Sequence, residues 1–200
     1  MASIQRINNF INGQFVSTED YLKSFNPTTE EVIAHIADSS AEDAERAVQA
    51  ARQAFPSWSL ETITKRVYYL NRIADLIQAR LEDFARAESL DQGKPLWLAR
   101  TMEIPRAIDN FRFFATALMQ SREIFTPHPT IPNVISYTVR NPIGVAVLIS
   151  PWNLPLYLLT WKIAPCIAFG CTCVCKPSEF TSVTAGMLAQ VFIDVGMYLY

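Results

Sequence analysis

Residues 144–179 read GVAVLISPWNLPLYLLTWKIAPCIAFGCTCVCKPSE, and between Arg140 and Lys176 the only charged side chain is Lys162. So apolar a run has two physical readings, a membrane span or the buried part of an α/β sheet. A span needs about 20 apolar residues with few charges. The length is present, but Pro151, Pro155 and Pro165 interrupt it. Asn153 and Lys162 would also sit near mid-depth, where polar and charged groups are costly.

The α/β reading accounts for more of the pattern. VAVLIS (145–150) is short, continuously apolar and rich in β-branched residues, as a strand covered on both faces requires. LPLYLLTWKIAPCIAF (154–169) has helix length, and Gly170 suits the left-handed position just past a helix end. CTCVC (171–175) is a second strand and TSVTAGMLAQVFIDV (181–195) a second helix. Strand, helix, strand, helix at this spacing is a parallel βαβα unit with a right-handed crossover. Ligands of such sheets bind outside the carboxyl ends of the strands, where this chain carries SPWN (150–153) and KPSE (176–179). The six glycines stand far apart and form no G-x-G-x-x-G. Pattern alone therefore yields an α/β protein with polar groups at the ends of two parallel strands.

Working outward, Asn12-Gly13 between apolar β-prone residues predicts a hairpin, and Asn26-Pro27 a turn before a short strand. Ser40 with Asp43 three residues on is a capping-box-like helix start. That helix carries Ala44, Ala47, Val48, Ala51 and Phe55 at helical spacing, with Pro56 expected to stop it. A helix from Ile63 buries Val67, Leu70, Ile73, Ile77 and Leu81. Another ends at Gly93, and a long one over 104–118 aligns Ile108, Phe111, Phe114 and Leu118. These stripes, with the aromatic row Phe111, Phe113 and Phe114, read as packing. REIFTPHPTIPNV (122–134) reads as an irregular connection and VISYTVRNP (134–142) as a strand.

Half of the residues are apolar and 18% charged, enough for a core, and the net charge of −2 is scattered. There is no basic patch for nucleic acid. The N-terminus has no apolar run of signal-peptide length, so a cytoplasmic protein without a membrane segment is expected. Cys166, Cys171, Cys173 and Cys175 have no second cysteine pair, and His35 and His128 stand isolated. Small buried hydrophobes are favoured over metal ligands or a nucleophile, because a strand interior hides a thiol and raises its pKa.

SPWNLPLYLLTWKIAP and GCTCVCKPSE resemble the NAD-dependent aldehyde dehydrogenase superfamily. So do AESLDQGKPL, IPRAIDNFRFFA and the N-terminal FINGQFV, FNPTTEEVIAHI and AVQAARQAFPSWS, in the same order. The likeness runs from Asn9 to about Val195. ARTMEIPRAIDNFRFFA and ISPWNLPLYLLTWKIAP place it nearest the 2-aminomuconic and 2-hydroxymuconic semialdehyde dehydrogenases. The resemblance implies a cysteine thiolate attacking an aldehyde, an asparagine amide holding the oxyanion, hydride passing to NAD, and a glutamate-activated water cleaving the thioester.

On this sequence Asn153 matches the oxyanion asparagine; a helix N-cap is the lesser alternative, and the two roles can hold together. Lys162 matches a lysine beside the active site, or is a snorkelling surface lysine. Lys176, Ser178 and Glu179 match the adenosine-ribose contacts, with Glu179 favouring NAD over NADP by repelling a 2′-phosphate; capping the next helix is the alternative. Backbone groups of Ile149, Ser150, Pro151 and Trp152 would line the cofactor cleft. Arg106 matches an arginine that grips a substrate carboxylate, or makes a surface ion pair.

The implied fold is an incomplete Rossmann-like NAD-binding domain of two parallel strands with helices, preceded by a hairpin and helices. It divides into 1–122 (hairpin and helical part), 123–142 (connection and oligomerisation-type strand) and 143–200 (the start of the NAD-binding sheet, truncated). The family is more than twice this length. From Met197 a tetrapeptide stands where a glycine-rich turn and third strand are expected. The nucleophile, the glutamate base and the pyrophosphate-binding turn would all follow later. The chain is thus expected to be inactive alone, weakly stable as a monomer, and able to associate with full-length subunits of a homo-oligomer, while the family's substrate is a small aldehyde. A non-catalytic isoform and a membrane-associated helical protein are the competing readings.

Overall fold

The computed structural model describes residues 4–197. The chain opens with β1 (Gln5–Ile7), then a hairpin of β2 (Asn9–Ile11) and β3 (Gln14–Val16). Asn12 and Gly13 turn that hairpin with φ of 51° and 76°, the left-handed pair that matches strand twist. β4 (Asp20–Phe25) and β5 (Val32–Asp38) follow. They join β1 in a three-stranded sheet of order β1-β5-β4, β1 running parallel to β5 and β4 antiparallel. The sequence reading missed β4, whose exposed, polar pattern is that of an edge.

Helix α1 (Ala41–Ser59) begins with the expected capping box, in which the Ser40 hydroxyl accepts from Asp43 N–H and the Asp43 carboxylate accepts from Ser40 N–H. Pro56 does not stop it. The last turn survives because Trp58, buried to 2% exposure, donates its indole N–H to Ile167 O at 3.1 Å, and Ser57 and Ser59 hydroxyls satisfy nearby carbonyls. Tertiary anchoring outweighs the proline penalty.

α2 (Ile63–Ala79) is capped by the Thr62 hydroxyl and buries Leu70, Ile73, Ala74 and Ile77. α3 (Leu81–Gln92) ends at Gly93 with φ 82°. After the single turn α4 (Leu96–Leu98), a π-helical segment, Ala99–Glu103, leads into α5 (Ile104–Met119). Of the expected α5 stripe, Ile108, Phe111 and Leu118 are buried; Phe113 is 63% exposed. The 122–134 connection is not wholly irregular. β6 (Phe125–Pro127) pairs with β7 (Ile135–Tyr137) as an antiparallel hairpin exposed along its whole length.

The opening stretch folds as β8 (Val145–Ile149), α6 (Pro155–Ala168), β9 (Thr172–Lys176) and α7 (Val183–Asp194). β8 and β9 are parallel, Val145 opposite Thr172 and Ile149 opposite Lys176. Gly170 takes φ 86° just past α6. One expectation fails: β8 is not covered on both faces, since Val147 and Ile149 are 63% and 61% exposed. Among the described residues the pair gains no third strand, so an edge of the pair is unpaired as well. No described helix is long and apolar enough to cross a membrane. Prolines and Asn153 instead split the apolar run into strand, loop and helix, and the membrane reading is set aside. The core joins α2, α5, α6 and α7 through Leu70, Ile73, Ile108, Phe111, Leu156, Ile167 and Leu188. Met197 is 1% exposed in this core; the rest of the expected terminal departure, 198–200, lies outside the described residues.

Candidate active site

The carboxyl ends of β8 and β9 are stitched together. Ser150 N–H donates to Lys176 O at 3.1 Å, and the Thr181 hydroxyl donates to Trp152 O at 3.5 Å. The two polar loops thus lie side by side. Asn153 is exposed in the first of them. It does not cap α6: that cap position is Leu154, without a side-chain bond. No hydrogen bond to the Asn153 amide is seen among the described residues, so its donors are free.

On the second loop the Lys176 ammonium meets Glu179 Oε2 at 3.0 Å, both side chains well exposed. Glu179's own backbone N–H and then Lys176 hold its carboxyl below the usual range, so it is ionised at neutral pH. It does not cap α7, whose cap residue is Ser182. Ser178 is buried and its hydroxyl accepts from Phe180 N–H at 3.3 Å, which shapes the loop from within. Ser150 Oγ is buried and has no partner among the described residues, while Ile149, Pro151 and Trp152 are exposed beside it. A cavity of about 580 Å³ opens along β9, lined by Val147, Cys175, Lys176, Pro177 and Glu179 on one side and by Ile7, Asp43 and Ala47 on the other.

Arg106, exposed on α5, makes no ion pair among the described residues. Its guanidinium lies over the Tyr157 ring, 5.0 Å from the centroid, a cation–π contact between α5 and α6. Tyr157 in turn meets Trp161 edge-on at 5.8 Å. Lys162 is half-buried on α6, with no ion pair among the described residues. The structure therefore brings the Asn153 loop against the Lys176–Glu179 loop, and links Arg106 to Tyr157 of α6.

Beneath the loops lies a set of buried charges that sequence reasoning missed. Glu88 and Asp91 sit on the inner face of α3, at 0% and 3% exposure, with Lys94 at 8% and Glu103 at 4%. Glu88 accepts from the Thr184 hydroxyl at 2.8 Å and from Leu156 N–H at 3.4 Å. Burial, opposed by Lys94, pushes its carboxyl up to about 7. Asp91 accepts from Val183 N–H at 2.9 Å and the Ser24 hydroxyl at 3.0 Å, and burial pushes it up to about 6. The signal was visible: Phe84, Glu88 and Asp91 fall at i, i+4 and i+7, so the acids share the apolar stripe.

Asp91 also decides what α7 can hold. A helix N-terminus is a natural phosphate site, but here a carboxylate already takes Val183 N–H. A phosphate there would meet like charge, so the α7 N-terminus is not free to take one.

The four cysteines are free thiols, Cys173 buried and Cys175 exposed, with sulfurs 3.8 Å apart. Contacts with the Cys166 and Cys175 thiols, and burial, push Cys173 well above its ordinary value. That is packing behaviour, not a nucleophile's.

A parallel strand pair with facing polar loops at its carboxyl ends defines a dinucleotide-type α/β site. The aldehyde dehydrogenase family's sequence profile matches residues 15–197, and the chain belongs to that family. It is 51% identical over 191 residues to the 2-aminomuconic semialdehyde dehydrogenase of Bos taurus, covering 96% of this chain and 39% of that protein. It is 41% identical to the 2-hydroxymuconic semialdehyde dehydrogenase of Pseudomonas sp. (strain CF600), covering 97% and 41%. Among solved structures it superposes on the NAD+ complex of Bacillus cereus aldehyde dehydrogenase with a TM-score of 0.90 at 36% identity, covering 96% of this chain and 39% of that one. The chain thus spans about two fifths of the length of the relatives it matches.

Proposed function

We propose that this chain carries the oxyanion donor and the adenosine-ribose contacts of an NAD-dependent dehydrogenase that oxidises a muconic-type semialdehyde to its carboxylic acid in the cytoplasm. The observation that carries this is the stitching of the Asn153 loop to the Lys176–Glu179 loop through Ser150 N–H and Lys176 O. It lets one small region face both nucleotide and aldehyde. The names of the Bos taurus and Pseudomonas relatives support the substrate class, and the NAD+ complexes support the cofactor.

The residues present fit a ribose. The ionised Glu179 carboxylate is exposed at the end of β9 beside a cavity and accepts from the 2′ and 3′ hydroxyls, with Lys176 as donor. A 2′-phosphate would meet like charge, so NAD is preferred to NADP. The backbone of Ile149–Trp152 lines the cleft. The chemistry that NAD supplies when bound is acceptance of hydride from the aldehyde carbon.

Asn153 Nδ2–H donates to the carbonyl oxygen as negative charge develops there. An uncharged amide does so without adding a titrating proton, and losing one such donor costs about 3 kcal/mol of barrier. Arg106, braced by the Tyr157 ring, offers a bidentate fork to the substrate's own carboxylate, and Lys162 adds positive charge on the same helix as Tyr157. The buried, raised thiol of Cys173 is no nucleophile, and Cys166, whose thiol its cysteine neighbours lower, is half-buried and donates to Thr172 O; on this reading the chain binds cofactor and does not turn over alone. The 1–122, 123–142 and 143–200 division follows these roles.

Calorimetric titration of the chain with NAD and NADP tests the reading. NAD binds and NADP does not, Glu179→Gln narrows the difference, and no NADH forms with aldehyde. Equal affinity for the two nucleotides, or turnover that survives replacement of all four cysteines, would overturn it.

One observation favours a second role, association with longer family subunits. The β6–β7 hairpin presents Phe125, Ile135 and Tyr137 at 67%, 59% and 67% exposure, an apolar surface left uncovered by the described residues. Co-purification of a tagged full-length relative with this chain tests it, and replacing these three by serine abolishes the capture.

A further inference from the structure

The buried charges beneath the site converge on one ammonium. Lys94 Nζ pairs with Glu103, lies 3.6 Å from Glu88 Oε1 and donates to the backbone carbonyl of Asn153 at 3.4 Å. Of its three N–H donors, one meets Glu103 and one reaches Asn153 O, while Glu88 at 3.6 Å is an ion-pair partner beyond hydrogen-bond range. All three side chains are at most 8% exposed, so the pairs of Lys94 with Glu103 and Glu88 are not replaced by water when lost.

The local backbone is built to deliver them. Gly93 takes φ 82°, and a Cβ there would lie 2.6 Å from Pro27 Cγ. The chain can therefore leave α3 tightly and drop Lys94 inward, where Ser89 Oγ donates to Lys94 O at 2.7 Å. Glu103 closes the π-helical segment Ala99–Glu103, the extra residue of which rotates its side chain relative to a regular helix; such bulges recur at functional sites. Glu88 reaches the same turn from the other end by accepting from Leu156 N–H. Both sides of the Asn153–Leu156 turn are thus held by one ion cluster, while the Asn153 side chain stays free.

We propose that Lys94 is a positioning residue: paired with Glu103 and Glu88, it clamps the Asn153 carbonyl and so fixes where the Asn153 amide points. It touches neither substrate nor cofactor. The proposal deepens the reading of Asn153 as oxyanion donor and rests on it for its catalytic meaning; the clamp itself is a property of the folded chain. A floppy loop could not hold an amide within the few tenths of an ångström that charge stabilisation needs.

The test is nuclear magnetic resonance of the 200-residue chain labelled with 15N-asparagine, the Asn153 signals assigned from an Asn153→Asp variant. Asn110 is the internal control, because its amide is fixed independently by Thr160 Oγ1 at 2.9 Å and Tyr157 O at 3.1 Å. In Lys94→Met the backbone and side-chain signals of Asn153 shift by more than their linewidth or split, and Asn110 stays put. Lys94→Arg, which keeps the cation, restores the wild-type positions. Lys94→Met with Glu103→Gln, measured at pH 6 where burial keeps Glu88 protonated, leaves no unpaired charge in the cluster, so it folds if the single variant does not, and it shows the same Asn153 response. Unmoved Asn153 signals in the double variant, or equal movement of Asn110, would overturn the clamp. The nucleotide titration separately decides the functional reading, and these signals do not depend on its outcome.

Discussion

Replacing Glu88 by glutamine should remove one component of the protein's pH dependence. Glu88 is fully buried against Lys94, Glu103 and Thr184, and burial lifts its carboxyl from 4.5 to about 7. One ammonium facing two carboxylates leaves an excess negative charge in a dry site, and a proton on Glu88 removes it. Between pH 4.5 and about 7 the folded chain holds a proton that the unfolded chain has released. The unfolded state therefore binds fewer protons, and stability falls as pH rises through that window. At 1.36 kcal/mol per pKa unit, the decline between pH 5 and pH 8 amounts to about 2–3 kcal/mol. Asp91 contributes a separate decline of the same sign between 3.8 and about 6, and it is common to both proteins. Urea unfolding of wild type and Glu88→Gln at pH 5, 6, 7 and 8 isolates the Glu88 part. The variant gains about 2–3 kcal/mol on the wild type from pH 5 to pH 8. Parallel curves would refute the argument, since they would mean that Glu88 is ionised throughout and that Lys94 outweighs burial.

Gly93→Ala forces a Cβ into a left-handed residue and against Pro27. It lowers the melting temperature by several degrees, for a strain of about 1–2 kcal/mol; an unchanged melt would contradict the close approach. Trp58→Phe leaves the buried Ile167 carbonyl without its 3.1 Å donor and costs about 1–3 kcal/mol in urea unfolding. It also frays the last turn of α1, read as lost amide protection at Trp58–Leu60. With a thiol reagent, Cys175 is labelled first and Cys173 last, as exposure and the raised thiol of Cys173 dictate. Mass spectrometry of the digested protein gives the order, and early Cys173 labelling would show that β9 opens.

How far each part could be read from sequence followed the range of the forces involved. Asn12-Gly13, the Ser40–Asp43 capping box, Gly93 and Gly170 are local signals, settled within a turn of the backbone, and each stands where the residues placed it. The parallel βαβα unit was equally readable, because apolar runs of strand and helix length alternated between polar ends. Pro56 misled, because its local penalty is outweighed by an indole hydrogen bond to a residue more than a hundred positions away. β4 and β6 escaped notice because edge strands carry little apolar pattern.

Family membership, the two polar ends and the candidate residues Asn153 and Glu179 were thus determined by the sequence itself, through motifs that span a few consecutive residues. Only the tertiary structure decided that Val147 and Ile149 lie open, that Arg106 rests on Tyr157, that Asp91 occupies the α7 N-terminus, and that Lys94, Glu88 and Glu103 meet under the Asn153 turn. Burial and charge pairing depend on segments brought together from distant parts of the chain, so no stretch of sequence carries them alone.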